Sequence, residues 1–200
     1  MHFDNIKKLN TAPDEAEAKR ILSKMGIATP ESIVCATHIE AKKAFEKLSK
    51  PCVAKVLSES IRHKTEAGGV ILNIETEQQL YDALLCIDKI PGNDKRYIIE
   101  EMAKQGIEII IGALNDSSFG PVVLAGLGGT AAEALGDVAM RLAPLFSVED
   151  ALDMLSELKG SALLNGWRGA PVPDKNSIAE AIVKVGQFIY SHPEVKEMDI

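Results

Sequence analysis

The chain has 200 residues, 46% apolar and 26% charged, with a net charge of −7, the balance of a globular chain of one large domain or two small lobes. The acidity and an aromatic content of only 4% argue against nucleic acid, because a polyanion is repelled and bases find little to stack on. Cys35, Cys52 and Cys86 form no C-x-x-C pair, no leader-like segment opens the chain, and the longest uncharged stretch, 117–132, is short and glycine-rich; the expectation is a cytoplasmic protein without disulfide, zinc site or membrane span.

Helix and strand patterns alternate along the first half. A helix is expected to start at Thr11, with Asp14 three residues later, and to stop at Gly26. Residues 32–36 read as a short strand, and Thr37 with Glu40 as a capping box for the next helix. Residues 51–57 form a strand pattern, 58–68 a polar loop and 69–74 a further strand. Thr76 with Gln79 caps a helix whose apolar face carries Leu80, Ala83, Leu84 and Ile87. The run 91–94, Pro-Gly-Asn-Asp, is a strong turn signal and marks the expected lobe boundary, 1–92 against 93–200. Three strand patterns follow at 96–102, 107–114 and 120–125, with a hairpin loop at 115–118. Helices resume at Ser147 and near Ser177, and 195–200 is the last strand pattern.

Several apolar runs carry a single charge: Lys55, Glu108, Glu133 and Arg141. A buried charge costs several kcal/mol unless it is paired, so four such residues point to a charged ligand in a cleft. Taken one at a time, each is equally well read as a solvated face or a structural ion pair. The segment Arg62-His63-Lys64, followed by Gly68-Gly69, offers basic side chains and bare backbone N–H groups to an anion; otherwise it is a solvated loop with a chance basic cluster. Flanking cations favour a neutral, nucleophilic His63. The run 126–131, Gly-Leu-Gly-Gly-Thr-Ala, also fits the weak G-x-G-x-x-A dinucleotide pattern, but Gly136-Asp137 interrupts the long helix that such a site needs. No G-x-x-x-x-G-K-[ST], H-E-x-x-H or G-x-S-x-G is present.

Across nearly the whole chain, these segments resemble the ATP-grasp domain, or beta subunit, of the NDP-forming acyl-CoA synthetases, such as ADP-forming acetyl-CoA synthetase and, more distantly, succinyl-CoA synthetase. The matched segments are 15–27, 51–56, 63–70, 100–102, 106–108, 119–129, 137–145 and 164–169. The resemblance implies an α+β (α/β-like) fold whose two lobes clasp a nucleotide. It implies an acid–thiol ligase with ATP/ADP and Mg2+ as cofactors, working with a CoA-binding alpha subunit or domain and inactive without it. The implied catalytic residue is His63, a phosphohistidine relay. The implied nucleotide-binding residues are Lys55, Lys64, Gly68, Gly69, Glu100, Glu101, Met102, Glu108, Gly128, Gly129 and Arg141, with Lys55 on the phosphates and 100–102 hydrogen-bonding adenine. In the family, an Asp/Glu-Ile pair runs into Asn-Pro-Leu, whose asparagine is an expected magnesium ligand. Here Asp199-Ile200 match the pair and end the chain. Asp199 is the metal candidate, and the expectation is either a longer natural protein that continues into the asparagine or a natural chain that lacks this metal ligand. Two alternatives stand beside this one: a carboxylate–amine ligase of the same fold, and a non-catalytic nucleotide-sensing module.

Overall fold

A computed structural model describes residues 13–58, 61, 64–129, 136–143 and 147–200. Its elements in order are α1 (Glu15–Lys24), β1 (Ser32–Cys35), α2 (His38–Lys47), β2 (Cys52–Leu57), β3 (Val70–Ile74), α3 (Glu77–Asp88), β4 (Arg96–Glu101), β5 (Ile109–Asp116), β6 (Gly120–Leu127), β7 (Val138–Leu142), α4 (Val148–Glu157), two 3-10 turns (Ser161–Asn165 and Trp167–Gly169), α5 (Lys175–Ser191) and β8 (Glu197–Asp199). No described helix is long and apolar enough to cross a membrane. The three cysteines are free, and burial, then the charge of Glu40, pushes the Cys35 thiol up to about 11, so it is protonated and unreactive at neutral pH.

The chain divides into two units, 1–104 and 105–200. The boundary falls later than the turn at 91–94 because β4 is an interior strand of the first unit's sheet, ordered β1-β4-β2-β3. A turn signal marks where the chain bends, and here it joins α3 to a strand that returns to the same sheet. All pairings in that sheet are antiparallel, with Cys52 opposite Glu101 and Val53 opposite Glu100. One face carries Cys52, Ala54, Val56, Tyr97 and Ile99 and packs on Ala41, Ala44, Phe45, Leu80, Leu84 and Ile87 of α2 and α3. By the alternation of a strand, Lys55 and Glu100 point to the other face.

Helix starts are set by local hydrogen bonds. The cap of α1 is Asp14, whose carboxylate accepts from the Glu17 N–H; the expected Thr11 lies outside the described residues. Thr76 and Gln79 form a complete capping box. Thr37 accepts from the Glu40 N–H, but the Glu40 carboxylate reaches the N–H of Ala36 instead. Ser147 and Asp150 form a second complete box.

The second unit is an antiparallel sheet ordered β7-β6-β5-β8. β5 and β6 pair from Ile109 opposite Leu127 to Asp116 opposite Gly120. Ile111, Ala113, Val123, Ala125 and Ala139 are buried on one face, where α5 packs on β5 and β6 and α4 packs on β7. The other face carries Gly112, Leu124, Met140 and Asp199 in register. No described helix covers it, and Val138, Met140 and Leu142 are exposed there.

Candidate functional site

In the first unit, five charges converge on the helix-poor face of the sheet. Lys55 Nζ lies 2.8 Å from Glu15 Oε1 and 2.6 Å from Glu100 Oε1. Lys64 Nζ lies 2.9 Å from Glu15 Oε2. Lys19 Nζ lies 3.1 Å from the same Glu15 Oε1 and also pairs with Glu100. These side chains are between 6% and 23% exposed, so the charges act at reduced dielectric. Burial pushes the Glu15 carboxyl up, but hydrogen bonds from Lys55 and Lys64 together with their charges outweigh it and hold it at about 2. Burial pushes the Lys55 ammonium down, and the hydrogen bonds and charges of Glu100 and Glu15 overcome that and hold it protonated above its ordinary value. Among the described residues, three ammonium groups against two carboxylates leave one net positive charge, which favours a polyanion.

The glycine pair behind Lys64 has two different reasons. Gly68 sits at φ +70, and a Cβ there would meet nothing within 4 Å; the left-handed backbone selects glycine. Gly69 is selected by space. A Cβ would overlap Val56 Cγ1 and stand 3.1 Å from the Lys64 carbonyl oxygen. The Gly69 N–H donates to that oxygen at 2.7 Å, and the Val56 N–H donates to Gly69 O at 2.8 Å. The loop that brings Lys64 to Glu15 is thereby stitched to β2. Arg62 and His63 lie outside the described residues.

Glu100, Glu101 and Met102 do not act as one patch. Glu100 is buried beside Lys55. Glu101 alternates to the opposite face, where its carboxylate accepts from the Ser49 N–H at 2.9 Å. The N–H groups of Glu101 and Met102 donate to Glu31 O and Pro51 O, so both are committed to protein partners.

In the second unit, the Gly128 N–H donates to Glu108 O at 2.7 Å. A Cβ on Gly128 would stand 3.0 Å from Glu108 Cβ, and one on Gly129 3.2 Å from Glu108 Oε2. The Glu108 carboxylate therefore lies against bare glycine backbone. Glu108 directly precedes β5, and the extended pattern continued one residue back puts it on the side of Gly112, where Asp199 pairs opposite Gly112. The helix-free face thus combines exposed apolar side chains with two carboxylates. Arg141 does not join them. It shares a face with Val123, toward the helices, where its guanidinium pairs with Glu157 and donates to Met140 O at 2.9 Å. Glu133 lies outside the described residues.

The sequence matches the ATP-grasp domain family over residues 5–200. The chain belongs to the ATP-grasp family, in the branch of the ADP-forming acyl-CoA synthetases. It is 40% identical to the acetate–CoA ligase [ADP-forming] I subunit beta of Pyrococcus furiosus, covering 99% of this chain and 88% of that one. It is 38% identical to an acetate–CoA ligase [ADP-forming] of Methanocaldococcus jannaschii, covering 98% of this chain but only 29% of that longer protein. Among solved structures, the dinucleotide-forming acetyl-coenzyme A synthetase 1 of Ca. Korarchaeum cryptofilum, in complex with coenzyme A and Ca-AMPCP, superposes with a TM-score of 0.91 at 32% identity, covering 98% of this chain and 88% of that one. The expected fold is therefore the observed one: an ATP-grasp domain of mixed helices and antiparallel sheets. Glu15 and Lys19, which the sequence marks only as members of the matched segment 15–27, are central to the ATP-grasp domain's charge cluster. Their spacing of four puts both on one helix face, but nothing local says that this face meets Lys55.

Proposed function

We infer that this chain is the nucleotide-binding subunit or domain of an ADP-forming acyl-CoA synthetase. Together with a CoA-binding alpha subunit or domain, it exchanges ATP, an acid and CoA for ADP, phosphate and acyl-CoA. The observation that carries the reading is the cluster around Lys55: a surplus ammonium charge with unused N–H donors, on the strand that matches the family's lysine-bearing segment. Compact ammonium groups suit phosphate oxygens. Lys55 and Lys64 hold the nucleotide's phosphates. The family resemblance adds Glu108 of the second unit to the nucleotide-binding residues.

Asp199 fits a magnesium ion in chemistry and exposure. Mg2+ is a hard cation, commonly held by one or two carboxylates plus substrate phosphates and water, and Asp199 is an exposed carboxylate on the helix-free face. No group of three metal-ligating side chains occurs among the described residues. Bound there, magnesium would neutralise phosphate charge.

His63 is the relay. Its imidazole nitrogen attacks the γ-phosphorus of ATP, the bond from that phosphorus to the β,γ-bridging oxygen breaks, and ADP leaves. The phosphoryl group then passes to the partner. Solved relatives from Ca. Korarchaeum cryptofilum are described with a phosphohistidine segment, phosphorylated in one structure and pointing towards the nucleotide-binding site in another, which supports carrying the role to His63. The same relatives favour the synthetase over a carboxylate–amine ligase or a nucleotide sensor.

The test is γ-labelled ATP with magnesium. Base-stable, acid-labile label on the chain, lost in His63→Asn, is expected. The chain alone should bind ADP and ATP yet form no acyl-CoA, and steady acyl-CoA formation without a partner would overturn the division of labour.

A further inference from the structure

We propose that Lys19 of α1 is a third lysine of the phosphate site, with Glu15 as the carboxylate that positions all three ammonium groups. The proposal rests on the nucleotide reading above and extends it to a helix that reading leaves unassigned.

α1 contains no buried residue, so apolar packing does not decide where Lys19 goes. Its ion pairs do. Lys19 and Lys55 are bracketed by the same two carboxylates, Glu15 and Glu100, and both touch Glu15 Oε1, at 3.1 Å and 2.8 Å. A phosphate group that reaches one ammonium therefore reaches the other. Each ammonium has three N–H donors. Among the described residues, Lys55 spends two, on Glu15 and Glu100, while Lys19 and Lys64 spend one each, on Glu100 and Glu15, leaving one on Lys55 and two each on Lys19 and Lys64. A tether for α1 would need only matched charges. Here, among the described residues, three cations face two anions, a surplus that a bound anion would balance. Glu15 accepts from Lys55 and Lys64 and forms an ion pair with Lys19, which keeps like charges close together that would otherwise separate.

The experiment measures AMP, ADP and ATP affinity by titration calorimetry on the full chain, for the wild type, Lys19→Gln and Lys55→Gln, with thermal melts in the absence of nucleotide. Lys19→Gln should weaken ADP and ATP about tenfold, the scale of one charge-assisted phosphate contact, and change AMP less than about twofold. Equal losses for all three nucleotides would mean a structural role, and no loss would mean no contact; either result overturns the proposal. If Lys55→Gln also leaves ADP and ATP binding unchanged, the nucleotide reading itself fails. A loss in Lys55→Gln alone refutes only the role of Lys19. Should Lys19→Gln fail to fold, the 15N signal of the Lys19 ammonium in the wild type decides: it should move with ADP and stay still with AMP.

Discussion

Acid should unfasten α1, and Glu15 should be the reason. Its carboxyl is held at about 2 against an ordinary 4.5: burial raises it, and the hydrogen bonds and charges of Lys55 and Lys64 lower it by more. A carboxyl whose folded value lies below its unfolded one contributes stability that is complete above the unfolded value and is lost as pH falls toward the folded value. The window here runs from about 4.5 down to about 2. At about 1.4 kcal/mol per unit the gap amounts to about 3 kcal/mol, and partial exposure of Glu15 brings it nearer 2 kcal/mol. Because α1 buries no residue, the loss should appear as local opening rather than global unfolding. Amide hydrogen exchange reads it directly. After correction for intrinsic rates, protection of the α1 amides should fall about tenfold between pH 5 and pH 3. In Glu15→Gln it should be low at both values, with little slope. Superimposable pH profiles for the wild type and Glu15→Gln would refute the argument.

Three further outcomes follow from packing and pairing. Gly69→Ala should destabilise the first unit by about 1–3 kcal/mol in urea titration, because the new methyl overlaps Val56 and crowds the Lys64 carbonyl. Asp137 is buried, and its two carboxylate oxygens accept from the N–H groups of Lys159 and Gly160 at 2.8 Å each. Asp137→Ala strands both donors and should cost about 2–4 kcal/mol, measured the same way, with Asp137→Asn costing less. Arg141→Gln should leave ADP affinity within about twofold, since its partner Glu157 lies on the helix side; a large loss would put Arg141 back in the site.

The fold was legible where local signals and tertiary packing agree. Thr76-Gln79 and Ser147-Asp150 cap their helices as the spacing requires, because a capping box is closed by residues three apart. Residues 107–125 read as a hairpin, and β5 and β6 pair over their full length. The lobe boundary was misplaced because a strand's sheet is decided by its partners, and β4 pairs with β1 and β2, elements far away in sequence. Arg141 shows the same limit. One charge in an apolar run signals a partner, but a period of two cannot say that the partner is Glu157.

By itself, the sequence determined the class of molecule and its chemistry: an acidic, aromatic-poor chain whose ordered motifs are those of an ATP-grasp domain, with Lys55, Lys64, Glu100 and Glu108 among the charges to watch. These are properties of residue identity and short spacing, which any conformation of the chain carries. Only the tertiary structure decided the company these residues keep. It set Glu15 and Lys19 of an uncommitted helix beside a strand 40 residues away, paired Glu101 with the Ser49 N–H and Arg141 with Glu157, and laid Glu108 against Gly128 and Gly129. Coulomb energy depends on distance in space, and which charges come within 3 Å of one another is settled when the sheets pair and the helices dock.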